Sequence, residues 1–176
     1  MRQIGRNHSW IGPFVDCWLD MEDPSLEMTR KWIQSLSDGT SAGRHEVETF
    51  TSRGIQLVKA HKGLLLCDLI IRSGFLDENG NWHVSAIATL VDILANFASY
   101  TLTSCYQVTV DFSISYYSTA KVQEEVEIEA KVVGRKDDLT SVIVEVKKKQ
   151  NGELIALGKL WTAVAKKDSR HQASKL

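Results

Sequence analysis

The sequence predicts an α+β domain in which one long helix is wrapped by an antiparallel sheet of five or six strands. Three observations predict it. Residues 85–102 form a helical pattern without Pro or Gly. Runs with the alternation of β-strands fill most of the chain after this helix. Two of those runs are joined by Gln150-Asn151-Gly152, and Asn-Gly is the strongest short hairpin signal.

Length, composition and charge limit the class of protein. The chain has 176 residues, which is enough for one domain with extensions and too few for two full-sized domains. Apolar residues make up 43% and charged residues 24%, as in a soluble globular chain. The net charge of −1 argues against a nucleic-acid-binding protein. The longest nearly uncharged run, 91–110, carries Asp92 and many polar residues, so no membrane span is predicted.

The termini and the cysteines indicate an intracellular protein. No apolar signal core follows Arg2 and Arg6, which argues against secretion. Three cysteines, without a C-x-x-C spacing, predict neither a disulfide framework nor a zinc site. They are Cys17, Cys67 and Cys105.

Residues 1–48 are predicted to form an N-terminal extension with a short helix. Asp23 suits the N-cap and Pro24 the first helical position, while Gly39 ends the helix. Apolar residues at i, i+4 and i+8 fall on one face of this helix and are joined by Ile33; they are Met28, Trp32 and Leu36.

The main domain is predicted to span residues 49–166. It begins with strands at 54–60 and 64–72, separated by Lys62-Gly63. The second strand is apolar on both faces and is therefore expected to be buried on both sides. The long helix follows, with a broad apolar face and a second face of small and polar residues.

Four strands are predicted after the helix, arranged as an antiparallel meander. In the first, 107–117, apolar and polar residues alternate, which places Thr109 and Asp111 on the polar face. The other three occupy 121–133, 139–149 and 153–165.

A family resemblance lies at the start of the long helix. Residues 82–92 read W-H-V-S-A-I-A-T-L-V-D. This run resembles small acyl-CoA thioesterases of the thioesterase superfamily member 2 type, which have H-G-G before the helix and A-T-L-V-D within it. Residues 108–116 resemble the family's next strand and residues 152–158 its final hairpin. The resemblance covers roughly residues 50–165 and implies the hotdog fold; with the C-terminal sequence it suggests a plant member.

The resemblance also implies an activity, namely hydrolysis of acyl-CoA to free acid and CoA at a site between two subunits. Asp92 takes the position of the general base or nucleophile. The backbone N–H of Val84, with Ser85 beside it, takes the position that polarises the thioester carbonyl. Asp77 aligns with a second carbonyl donor, and Thr109 with the hydroxyl that orients water.

Two departures from the family motif affect this site. Val84-Ser85 replaces Gly-Gly, and glycine permits the closest approach of a ligand to the backbone. Asp77 replaces a residue with a side-chain amide, and an ionised carboxylate cannot donate a hydrogen bond. Asn79 or Asn81 supplies that donor if the loop shifts; otherwise the segment is only a turn.

The remaining candidates also have structural explanations. His83 is expected to orient the loop before the helix rather than to transfer a proton. Asp92 also suits hydrogen bonds to neighbouring groups, although the motif favours its functional role, and Thr109 suits an ordinary strand position equally well. The candidate contacts to substrate and CoA are Asn81, Thr89, Asn96 and Lys121. No metal and no cofactor beyond the CoA of the substrate is expected.

The tail at 167–176 is predicted to be exposed and ends in Ser174-Lys175-Leu176. At a free C-terminus this tripeptide is the receptor-read peroxisomal signal. It predicts binding of the import receptor, location in the peroxisome matrix and a role in fatty acid metabolism.

Two other functions fit the same fold. The first is a protein that binds acyl-CoA or scaffolds an assembly without hydrolysis. The second is a hotdog hydratase or dehydratase acting on enoyl- or 3-hydroxyacyl-CoA. A homodimer or homotetramer is expected, while the length of the acyl group and its aromatic or aliphatic nature stay open.

Overall fold

A computed structural model describes residues 23–40 and 46–165, and these residues fold as a sheet wrapped around a long helix. The helices are α1 (Pro24–Asp38), α2 (Glu46–Ser52) and α3 (Val84–Thr103). The strands are β1 (Gln56–His61), β2 (Leu64–Ile70), β3 (Gln107–Tyr116), β4 (Glu125–Lys136), β5 (Leu139–Lys148) and β6 (Leu154–Val164). All neighbouring strands are antiparallel. The predicted α+β hotdog fold is confirmed, with six strands.

The core lies between α3 and the concave face of the sheet. Leu90, Val91 and Leu94 of α3 are buried in one cluster with Leu65 of β2 and Val144 of β5. Length and apolar composition alone would also allow α3 to cross a membrane. In this fold, however, the sheet covers its apolar face.

The predicted four-stranded meander is wrong at β3. The sheet order is β1-β2-β4-β5-β6-β3, so β3 pairs with β6 at the far edge instead of with β4. The connection between β3 and β4, residues 117–124, is longer than the two to five residues of a tight hairpin. It carries the chain back across the sheet to β2.

The predicted uniform alternation of β3 is also wrong, because the strand contains a β-bulge. The register shifts between Thr109 and Asp111. Thr109 lies opposite the buried Thr162, whereas Phe112 lies opposite the buried Leu160. Polar and apolar residues of this one strand therefore both reach the helix side.

The predicted ends of α1 are confirmed, whereas the predicted burial of β2 is wrong. Asp23 caps α1 by accepting a hydrogen bond from the Ser25 N–H at 2.9 Å, and Gly39 ends the helix with φ of 73°. Burial of β2 on both sides is wrong, since Ile70 on its outer face is 48% exposed. Ser174-Lys175-Leu176, predicted to be a targeting signal, and Cys17 lie outside the described residues.

Candidate active site

Asp92 lies half-buried on α3 in direct contact with β3. The Thr109 hydroxyl donates to Asp92 Oδ1 at 2.5 Å, and Asn96 Nδ2 donates to Thr109 Oγ1 at 2.9 Å. The β-bulge in β3 allows this contact, because it turns the Thr109 side chain toward α3. Because the Asn96 amide donates a hydrogen bond to the Thr109 oxygen, the single hydroxyl hydrogen of Thr109 is directed to the Asp92 carboxylate.

The start of α3 offers one backbone donor. His83 caps the helix: its Nδ1 accepts from the Ser85 N–H at 3.1 Å and lies 2.7 Å from Ser85 Oγ. The N–H groups of Ala86 and Ile87 donate to the His83 carbonyl. Within the described part of the chain, the Val84 N–H has no acceptor. A helix N-terminus favours negative charge, so this N–H can bind a carbonyl oxygen that gains charge.

Asp77 lies in the tight turn before the helix and acts there as an acceptor. It accepts from the backbone N–H groups of Asn81 at 2.9 Å and Asn79 at 2.8 Å. The Asn81 N–H, with the other donors, holds the pKa of the Asp77 carboxyl below its usual value. Lys121 Nζ lies 2.5 Å from Asn81 Oδ1 and ties this turn to the segment after β3. In this turn the ionised Asp77 has no proton to donate to a substrate carbonyl.

The structure thus brings the predicted residues together as two separate groups. Asp92, Thr109 and Asn96 form one, and the helix start with the 77–81 turn forms the other. Val84 and Asp92 are eight residues apart on one helix, which corresponds to about 12 Å. Hydrolysis needs the attacking atom about 3–3.5 Å from the carbonyl carbon. One chain alone therefore does not align the Val84 N–H with Asp92.

A cavity of about 950 Å³ adjoins Asp92 between α1, α2, α3 and β3. Thr89 and Asn96, two of the candidate substrate contacts, line it beside Asp92. The sequence pattern places Trp32 on the apolar face of α1 but does not reveal the aromatic wall of this cavity. That wall consists of Trp32, Phe97, Tyr100, Tyr106 and Phe112.

Other reactive side chains are poorly placed for this chemistry. Burial raises the pKa of the Cys67 thiol to about 12, so this cysteine is not a nucleophile near neutral pH. Cys105 is exposed and does not line the cavity. In the ranges 23–40 and 46–165, no group of three or more His, Cys, Asp or Glu side chains could hold a metal ion.

Sequence comparisons identify relatives of this chain. The thioesterase superfamily profile matches residues 79–155, which include α3, β3, β4 and β5. Acyl-coenzyme A thioesterase 13 of Mus musculus is 32% identical over 106 residues, which are 60% of this chain and 76% of the mouse protein. The Homo sapiens protein of the same name is 33% identical over the same shares.

Solved structures of thioesterases share the fold of this chain. Zebra fish thioesterase superfamily member 2 superposes with a TM-score of 0.70 at 26% identity, covering 80% of this chain and 98% of that one. A Streptococcus pneumoniae thioesterase protein, solved with coenzyme A, shares the fold with a TM-score of 0.61 at 19% identity, covering 65% and 88%. With the fold, the profile match and these relatives in agreement, the chain belongs to the thioesterase superfamily.

Proposed function

We propose that this protein is an acyl-CoA thioesterase that cleaves a thioester to a free acid and CoA. The contact of Asp92 with Thr109 and Asn96 carries the proposal, because it fixes a carboxylate beside a cavity large enough for an acyl group. The relatives named acyl-coenzyme A thioesterase 13 support it at 32% and 33% identity.

In the proposed mechanism Asp92 acts as general base on a water molecule. As the water oxygen bonds to the carbonyl carbon, its proton passes to the carboxylate and negative charge develops on the carbonyl oxygen. The Val84 N–H stabilises that charge; loss of one such donor typically costs about 10²–10³ in kcat. When the C–S bond breaks, the CoA sulfur leaves with the electron pair and takes the proton from Asp92.

We further propose that the complete site forms between two copies of the chain. Since Val84 and Asp92 lie about 12 Å apart on one helix, a second copy has to supply the other group. The sheet ends in β3, whose outer edge has no partner strand within the described chain. Val108 and Val110 on this strand are 48% and 55% exposed. An open apolar edge of this kind favours pairing of identical strands around a twofold axis.

The proposal is tested by thiol release from a panel of acyl-CoAs, short to long and aromatic, with the purified protein. Multiple turnover for at least one substrate supports it. If no substrate releases thiol while an enoyl-CoA loses its double-bond absorbance, the hydratase alternative is correct instead.

A second candidate function is acyl-CoA binding without hydrolysis. Two observations favour it. The ionised Asp77 stands where the family resemblance implies a carbonyl donor, and the Val84 side chain, 52% exposed, lies beside the remaining donor. Saturable binding of acyl-CoA without thiol release would establish this function and exclude the first.

Val84→Gly is expected to keep or raise kcat/KM for thioester hydrolysis. The substitution retains the backbone N–H and removes the side chain that crowds an approaching thioester. Val84→Leu is the matched control, since it retains the N–H and enlarges the side chain, and it should lower kcat/KM. A tenfold or larger loss in a folded Val84→Gly protein would contradict the proposed use of this N–H.

We also propose that the protein acts in the peroxisome matrix as a plant enzyme of fatty acid metabolism. The proposal rests on the tripeptide Ser174-Lys175-Leu176, which the import receptor reads when it stands at a free C-terminus. A fluorescent protein fused to the N-terminus should be imported into peroxisomes, and deletion of the tripeptide should leave the fusion in the cytosol. Gln172→Ala is the control and should be imported normally. Import of the deletion variant would exclude this signal.

A further inference from the structure

The cavity beside Asp92 has a polar end and an aromatic end. Asp92, Asn96 and Tyr100 follow one another at four-residue intervals along α3, and all three line the cavity. Tyr100 is therefore about 12 Å along the helix from Asp92. A thioester held at Asp92 would accordingly extend its acyl group along α3 toward the aromatic end.

Trp32 of α1 stands at the aromatic end. Its ring centroid lies 4.6 Å from that of Tyr100 and 5.5 Å from those of Phe97 and Tyr106. Aromatic rings at these distances pack closely and bury large apolar surfaces. The tryptophan thus belongs to the aromatic end of the cavity, packed on the residues that lie farther along α3 from Asp92.

This wall is fixed, because α1 is attached to the domain near both of its ends. At its start, Lys62 Nζ lies 2.6 Å from the carboxylate of the cap residue Asp23. Ser25 Oγ, also near the start, lies 2.9 Å from the Thr101 carbonyl oxygen at the end of α3. At the other end, the Gly54 N–H donates to the Ser37 carbonyl at 3.1 Å. Trp32 is therefore held in place between two anchored ends.

We propose that Trp32 sets the upper length of the acyl group that this protein accepts. The proposal rests on the proposed thioesterase function. The preferred substrates are then acyl groups of intermediate length, whose apolar body is comparable to the roughly 12 Å between Asp92 and Tyr100 along α3. Each methylene buried along α3 strengthens binding until the chain end meets the indole ring. A longer chain has to displace the ring or leave its end in water.

The test compares kcat/KM across saturated straight-chain acyl-CoAs for wild type, Trp32→Ala and Trp161→Ala. Trp161 lies on β6, is 40% exposed and does not line the cavity, which makes it the matched control. Wild type and Trp161→Ala should share one optimum at intermediate length. Trp32→Ala should move that optimum to longer chains, raising the ratio of long-chain to intermediate-chain kcat/KM by about tenfold or more.

An unchanged optimum, or an equal loss at every length, in folded Trp32→Ala protein would overturn the proposal. If Trp32→Ala does not fold, Tyr106→Ala replaces it, because Tyr106 packs on Trp32 and is 69% exposed. It should move the optimum in the same direction, and an unmoved optimum would again overturn the proposal. If wild type releases no thiol, the thioesterase proposal fails, and Kd values for the same acyl-CoAs decide whether Trp32 limits length.

Discussion

Asp92→Asn is expected to lower kcat for thioester hydrolysis by about 10²–10⁴-fold, the range that general base catalysis supplies. Asparagine has nearly the same shape as aspartate and retains an oxygen that can accept from Thr109. It cannot take a proton from water, so the chemical step loses its base while the packing around α3 is kept. Thiol release under saturating acyl-CoA measures kcat, and the Kd for acyl-CoA should stay close to that of wild type.

Asp111→Asn provides a matched control for the loss of one negative charge. Asp111 is an exposed residue of the same strand as Thr109 and lies opposite Trp161, on the outer face of the sheet. Its substitution should leave kcat unchanged. Wild-type turnover in Asp92→Asn would falsify the proposed mechanism. An equal loss in both variants would mean that net charge, rather than a base at position 92, controls the rate.

The local parts of this structure could be predicted from the sequence because their causes are local. The apolar pattern of α3 fixes which face packs on the sheet, and Asp23 with Gly39 fixes the ends of α1. Asn151-Gly152 likewise placed the hairpin between the last two strands. The hotdog fold followed from these elements together with the family motif.

Two features of the site were beyond local reasoning. Uniform alternation predicts that Thr109 and Asp111 share a face, but one bulged residue changes which side chains reach the helix. No spacing rule in the strand signals that bulge. The aromatic wall joins Trp32 to Tyr106, which are 74 residues apart in the sequence (106 − 32), and only tertiary packing brings their ring centroids to 5.5 Å. The kinds of residue that form the site can be read from the sequence, but which of them come into contact depends on tertiary packing.

Gly158→Ala is expected to destabilise the protein by about 1–3 kcal/mol, the usual cost of adding carbon to a filled core. A Cβ on Gly158 of β6 would lie closer to Val91 Cγ1 than two carbon atoms can approach. Val91 is fully buried on α3, and valine in a helix has one strongly preferred rotamer. The clash therefore cannot be relieved by turning the side chain, and α3 has to move from the sheet. Chemical denaturation measures the change in the free energy of unfolding.

Gly134→Ala is the control, because a Cβ on Gly134 of β4 meets no atom within 4 Å. It should change stability little, and a loss comparable to that of Gly158→Ala would show that backbone freedom, not contact, is the cause. Adding Val91→Ala should recover part of the loss in Gly158→Ala, whereas strict additivity would exclude this contact.

Val91 precedes Asp92, so movement of α3 also disturbs the 2.5 Å contact with Thr109. At temperatures where both variants are folded, Gly158→Ala should therefore lose more kcat than Gly134→Ala.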